Sequence, residues 1–246
     1  MAVLYQYRIH HLLKVKRIEH EAWLEVERAQ HEAALQIEKL RSDIAADFHD
    51  GIGSDLGGLG LELDLLLTED GLTDALEKQI IGLRERVEQI SDVRRDMTWI
   101  VNTQHDYLEH LIDRIKQVAY ELVLDGRLRV MLPEEIPVLP IGMVIRGNIF
   151  FLVKEAIYNA AKHSKADGIT VRIALDAQRC IFMVKDDGIG FNQHYGVRGD
   201  GLNNMSMRAA AMGAELQVES QPGEGTVIKF SVKMADLNHV HASLLS

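Results

Sequence analysis

Over the first quarter of the chain, apolar residues recur at helical or heptad spacing with no proline to interrupt them. Leu12, Val15, Ala22, Val26, Ala29 and Ala33 begin the stripe; Ile37, Leu40, Ile44, Phe48, Ile52, Leu56, Leu59, Leu63 and Leu66 continue it. A continuous helix over residues 5–67 would be on the order of 90 Å long. Nothing else in the chain is large enough to cover such a rod, so the stripe predicts pairing with a second copy. Asp70-Gly71 ends the pattern, and a second stripe runs through Leu76, Ile80, Leu83, Val87, Ile90, Met97 and Ile100. Two amphipathic helices joined by a short turn make a hairpin, and two hairpins make a four-helix bundle.

The period then changes. After a helix over about 106–124, Arg127–Met131 alternates like a strand and ends at Pro133. Residues 149–163 read as a helix, and Thr170–Leu175 and Cys180–Asp186 as strands around a turn at Asp176. A short helix, Leu202–Met212, is stopped by Gly213, and Leu216–Ser220 and Thr226–Val232 form a hairpin across residues 222–225. Strands and helices interleaved in this way predict an α/β sandwich, with a domain boundary near residue 105. The fold class is α+β, a helical hairpin forming a dimeric four-helix bundle followed by the sandwich. Residues 235–246 read as a tail.

Composition narrows the options. The 246 residues carry a formal net charge of −10, which argues against nucleic acid as a partner. The single cysteine, Cys180, excludes an internal disulfide and fits a reducing, cytoplasmic compartment. It lies in an apolar run, as a packed small hydrophobe would. The most apolar stretch, Ile136–Val153, is broken by Arg146 and Asn148 and is no membrane span. Near the start, Tyr5 and Tyr7 precede Arg8, Lys14, Lys16 and Arg17. That order follows a membrane span on its cytoplasmic side, and equally fits a solvated basic helix start.

Four short blocks carry candidate chemistry: EAIYNAAKHS, DDGIGF, GDGL and GEGT, in that order. On the helix of the first block, Glu155, Asn159 and Lys162 lie at i, i+4 and i+7, opposite apolar Val153, Ala156, Ile157 and Ala160. Such a polar face meets either water or a ligand. An amide oxygen suits a hard cation, and a lysine suits phosphate. Asp186 closes a strand just before Gly188 and Gly190; a carboxylate there can accept an exocyclic amine while the glycines let backbone approach. Gly199 and Gly201 precede a helix whose free N–H groups can hold phosphate. Gly223 and Gly225 can be an ordinary hairpin loop, beside the Thr226 hydroxyl. Each block is common; the order and spacing are specific. No G-x-x-x-x-G-K-[ST] loop is present.

In these blocks the segment 105–234 resembles the ATP-binding domain of the GHKL superfamily. The run from Met205 through Arg208 to Gly213, followed by GEGT, is similar to the branch found in sensor histidine kinases that partner NarL/LuxR-type response regulators. The resemblance implies that Asn159 and Glu155 hold Mg²⁺, with Glu155 also catalytic, and that Lys162 contacts phosphate. It further implies that Asp186 reads adenine and that Gly188, Gly190, Gly199 and Gly201 shape the pocket and lid. His163, Leu202 and Thr226 complete the ATP contacts on the same basis.

The first helix contains His49-Asp50-Gly51-Ile52-Gly53, which matches the H-D-x-x-G phosphotransfer motif of that branch. The resemblance makes His49 the phosphoacceptor and Asp50 its base. A neutral imidazole is a nucleophile near pH 7, and an adjacent carboxylate can fix its tautomer and take its proton. Family members with phosphatase activity carry Gln or His four residues after the acid; Ser54 stands there, which implies weak phosphatase activity. The stretch Trp99–Leu111 is similar to the W-x-x-N…D-x-L-E-x-L segment of kinases attached to periplasmic propeller sensors. On this basis residues 1–40 are a juxtamembrane signalling helix, 41–104 the dimerisation and phosphotransfer helices, and 105–234 the catalytic domain. The expected protein is a homodimeric, ATP-dependent and membrane-anchored histidine kinase whose partner is a response-regulator receiver domain. The alternatives are a nucleotide-driven clamp and an ATP-binding pseudokinase that serves as a dimeric scaffold.

Overall fold

The computed structural model describes residues 2–47, 52–69, 72–192 and 200–237, so His49, Asp50, Asp70-Gly71 and Gly199 lie outside the described residues. The chain divides into two compact units, Met1–Thr103 and Gln104–Ser246.

The first unit is all helix: α1 (Ala2–Asp47), α2 (Gly53–Leu66) and α3 (Asp74–Val101). The long predicted helix is thus described as two segments on either side of residues 48–51. α3 opens on a cap in which Thr73 Oγ1 accepts from the Leu76 N–H at 3.3 Å, reinforced by Asp74 and Glu77 in its first turn. α2 packs on α3, burying Leu63 and Ile80, and Arg84 bridges from α3 to Asp64. The Arg41 guanidinium donates to the Val101 carbonyl at 3.1 Å, tying α1 to the end of α3. Much of the α3 stripe stays open to solvent in one chain: Leu83 is 50% and Ile90 53% exposed. Gly57 and Gly58 face open space.

The second unit is a two-layer sandwich. Its strands are β1 (Leu128–Met131), β2 (Ile169–Leu175), β3 (Arg179–Asp186), β4 (Leu216–Ser220) and β5 (Thr226–Lys233), in sheet order β1-β2-β3-β5-β4. β1 runs parallel to β2 and every other pairing is antiparallel. The helices α4 (Leu108–Leu122), α5 (Met143–His163) and α6 (Asp200–Ala211) cover one sheet face. Period-two alternation sends Val171, Ile173, Phe182, Val184, Ile228 and Phe230 into that layer, where Phe182 and Phe230 stack at 5.0 Å between ring centroids. Cys180 is buried there too, and burial pushes its thiol up to about 12.

α5 begins at Met143, one turn and a half before the expected Ile149. The added turn contains Arg146, fully buried, whose guanidinium pairs with Asp106 just ahead of α4. A buried cation is tolerated only with such a partner. α5 also buries Ile149, Phe150, Leu152, Val153, Ala156, Ile157 and Ala160, so it is central to the unit and fixes the side chains it presents elsewhere.

Candidate nucleotide site

One end of the sandwich opens into a cavity of about 510 Å³ between α5, the ends of β3 and β5, and the start of α6. Its floor comes from α5. Glu155 and Asn159, one turn apart and half-buried, point into it, and the Asn159 amide donates to Glu155 Oε1 at 3.3 Å. That bond leaves the Asn159 carbonyl oxygen and the second Glu155 oxygen, a hard-oxygen pair suited to Mg²⁺. Gly201 of α6 closes over them: a β-carbon there would run into Glu155 Oε1 and lie 3.5 Å from Asn159 Nδ2.

The far wall is Asp186, the last residue of β3. The β3–β5 register sets it directly opposite Thr226, the first residue of β5. Asp186 is 5% exposed. Its Oδ1 accepts from the Gly188 N–H at 2.9 Å. Burial raises its pKa above the ordinary carboxylate value, against the opposing pull of backbone N–H bonds from Gly188 and Thr226. A buried carboxylate beside a cavity is placed to accept a hydrogen bond from a ligand's amine.

The glycines hold this wall in shape by what they lack. Gly188 lies under the Ser164 carbonyl, with which a β-carbon would overlap, and it does not itself line the cavity. Gly190 has φ +54° and packs on the Gln221 and Gly225 carbonyls, so both its conformation and its contacts demand glycine. The Ile189 N–H donates to the Ser164 carbonyl at 2.7 Å, and the Gly223 N–H to the Ile189 carbonyl at 2.7 Å. The D-x-G-x-G turn is therefore clamped between the end of α5 and the β4–β5 hairpin.

Two serines to which the sequence assigns no role organise these clamps. Ser164, at the C-terminal end of α5, bonds Ala160 and Ala166 through its hydroxyl. Ser220 Oγ lies 3.0 Å from Thr226 Oγ1, donates to the Gly225 carbonyl at 3.0 Å and accepts from the Phe191 N–H at 2.8 Å. The readable signal was position: each serine immediately follows or closes a regular element. His163 and Leu202 line the cavity, the former with its ring edge-on to Tyr158 at 5.9 Å. Lys162 is exposed and does not line it, although it follows Asn159 by three residues on α5. The four sequence blocks thus contribute Glu155, Asn159, His163, Asp186, Gly190, Gly201, Leu202 and Thr226 to one cavity.

Residues 146–236 match the family described as histidine kinase-, DNA gyrase B- and HSP90-like ATPase. The segment belongs to that ATPase family. Over a longer span the chain is similar to proteins named as sensor histidine kinases. It is 27% identical over 212 residues to an uncharacterized sensor-like histidine kinase of Chloroflexus aurantiacus, covering 78% of this chain and 34% of that protein. It is 27% identical to the nitrate/nitrite sensor protein NarQ of Escherichia coli, covering 80% of this chain and 35% of the relative. It is 26% identical to the oxygen sensor histidine kinase NreB of Staphylococcus carnosus, covering 80% and 57%. The chain spans between about a third and just over half the length of these relatives.

Within the ATPase segment, α6 is held onto α5 by Arg208. Its guanidinium lies 4.6 Å from the Phe151 ring centroid and donates to Asn148 Oδ1 at 3.3 Å. This contact holds the helix that carries Gly201 against the helix that carries Glu155 and Asn159.

Proposed function

We propose that the chain is the catalytic part of a two-component sensor histidine kinase, which phosphorylates its own His49 from ATP and passes the phosphoryl group to an aspartate of a response regulator. The observation that supports this best is the single cavity in which a buried carboxylate, Asp186, faces a Glu155–Asn159 pair roofed by Gly201. Bound Mg-ATP supplies the transferable phosphoryl group. Asp186 orients the base by accepting from its amine, with the Thr226 hydroxyl at the same end. Asn159 and Glu155 hold Mg²⁺. Among the described residues no cluster of three His, Cys, Asp or Glu side chains could hold a metal. The ion's other ligands would therefore come from phosphate and water, as is usual for Mg²⁺. Lys162 and Gly199 belong to the phosphate side in this reading.

His49 is the nucleophile: its imidazole nitrogen forms the new N–P bond as the bond from the γ-phosphorus to the bridging oxygen breaks and ADP departs. Asp50 takes the imidazole proton. Positioning and charge neutralisation provide most of the acceleration in such transfers. The exposed α3 stripe supports a homodimer in which two α2–α3 hairpins cover one another. The similarity to NarQ and NreB supports a NarL/LuxR-type receiver domain as acceptor and a membrane-anchored full-length protein. Ser54, exposed in the first turn of α2, supports slow dephosphorylation of that partner.

The deciding experiment incubates the chain with radiolabelled ATP and Mg²⁺. Acid-labile, base-stable label is expected, and it should vanish in His49→Gln while nucleotide binding persists. Label that survives His49→Gln, or an absence of label despite tight ATP binding, would refute the kinase reading.

A further inference from the structure

The sheet face opposite α4, α5 and α6 carries an unexpected charge. Strand alternation places Arg129, Arg172, Arg179, Lys185, Lys229 and Lys233 on it, all exposed. The registers arrange them in rows: Lys185 lies across from Thr170, whose β1 partner is Arg129; Arg172, Met183 and Lys229 share the next row; Arg179 and Lys233 are opposite one another. Arg179 donates to Ser231 Oγ at 2.7 Å, and none of the six forms an ion pair with a described carboxylate. Acids that border the face include Glu219 on edge strand β4, Asp176 at the β2–β3 turn, Asp187 just past the end of β3, and Glu134 and Glu135 beside Arg172. This cationic face sits on a chain whose formal net charge is −10, so it is a local concentration of charge and no reflection of overall composition.

We propose that this sheet face docks on an anionic lipid surface. Two features favour headgroups over other acidic partners. The positions between the cations are small or aliphatic, among them Ala174, Ile181, Met183 and Val227, with no aromatic ring to stack a base. A layer of mobile headgroups needs no groove and adapts laterally to scattered cations, each of which adds attraction close to the surface. The inference does not depend on the kinase reading.

The test is co-sedimentation of the full chain with vesicles of phosphatidylcholine alone or mixed with phosphatidylglycerol, at low and physiological salt. Binding to the phosphatidylglycerol vesicles only, weakening with salt, is expected. Replacing Lys185, Lys229 and Lys233 together by Gln should weaken it by about fivefold per cation removed. The triple variant's ATP affinity, measured in parallel, verifies its fold. A Lys14→Gln/Lys16→Gln variant should still sediment. The proposal is overturned if the sheet-face variant sediments like wild type, if the N-terminal variant alone loses binding, or if the wild type binds polyglutamate and not vesicles.

Discussion

Asp186 and Thr226 stand opposite each other at the last rung of the β3–β5 ladder, and this rung forms the deep end of the cavity. The pairing explains why two residues forty positions apart share one wall. It also makes the site sensitive to pH. Burial raises the Asp186 pKa, so on acidification this carboxylate takes its proton before an exposed one would. Because the folded value lies above the unfolded one, the ionised carboxylate costs the fold stability, and that cost is relieved as pH falls through the window above 3.8. Nucleotide binding should respond in the opposite sense. ATP affinity, followed by calorimetry, should fall on acidification at a pH above the normal carboxylate range. Asp186→Asn should bind weakly at every pH; an unchanged acid limb in that variant would assign the titration elsewhere.

Gly201 touches the Glu155–Asn159 pair without any side chain of its own. In Gly201→Ala the β-carbon would push into Glu155 Oε1. The expected loss is on the order of tenfold in affinity for the Mg²⁺ complex of ATP, by analogy with other disturbed metal surroundings. Affinity measured in EDTA should change less. Equal losses with and without Mg²⁺ would mean that Gly201 shapes the nucleotide pocket and not the ion site.

Gly190 combines φ +54° with backbone carbonyls where a β-carbon would go. Gly190→Ala should lower the stability of the second unit by about 1–3 kcal/mol, the ordinary cost of a strained backbone position. Differential scanning calorimetry would register this as a lower Tm. An unaltered Tm would mean that the β4–β5 hairpin can yield.

Lys165 is the one non-glycine residue with positive φ among those described, at +54°, just past the end of α5. Glycine is the usual occupant of such a helix terminus. Lys165→Gly should therefore stabilise the second unit by up to about 1 kcal/mol, since left-handed backbone costs an L-residue roughly that much. Chemical denaturation of the two proteins gives the comparison, and a less stable variant would show that the lysine side chain contributes more than its backbone costs.

Much of the architecture was legible because it is written in local periods. Leu216–Ser220 is a strand over the range its alternation predicts, and the alternation at Thr170–Leu175 and Cys180–Asp186 found strands whose ends moved by one residue. The start of α5 was not legible. Arg146 reads as a surface residue in isolation, and its pairing with Asp106 helps make a buried position inside the helix tenable. Ser164 and Ser220 were likewise silent, because their importance lies in backbone groups that other segments bring to them.

The amino-acid sequence by itself determined the helices and strands, the change of period near residue 105, and the four glycine- and carboxylate-bearing blocks. Those properties depend on neighbours within a few positions. Tertiary structure alone decided that Asn159, Asp186, Gly201 and Thr226 share one cavity and that Lys162 does not line it. It also decided that six dispersed cations meet on one face. Strand register and helix docking set these distances, through contacts between residues remote in the chain, and no local periodicity encodes them.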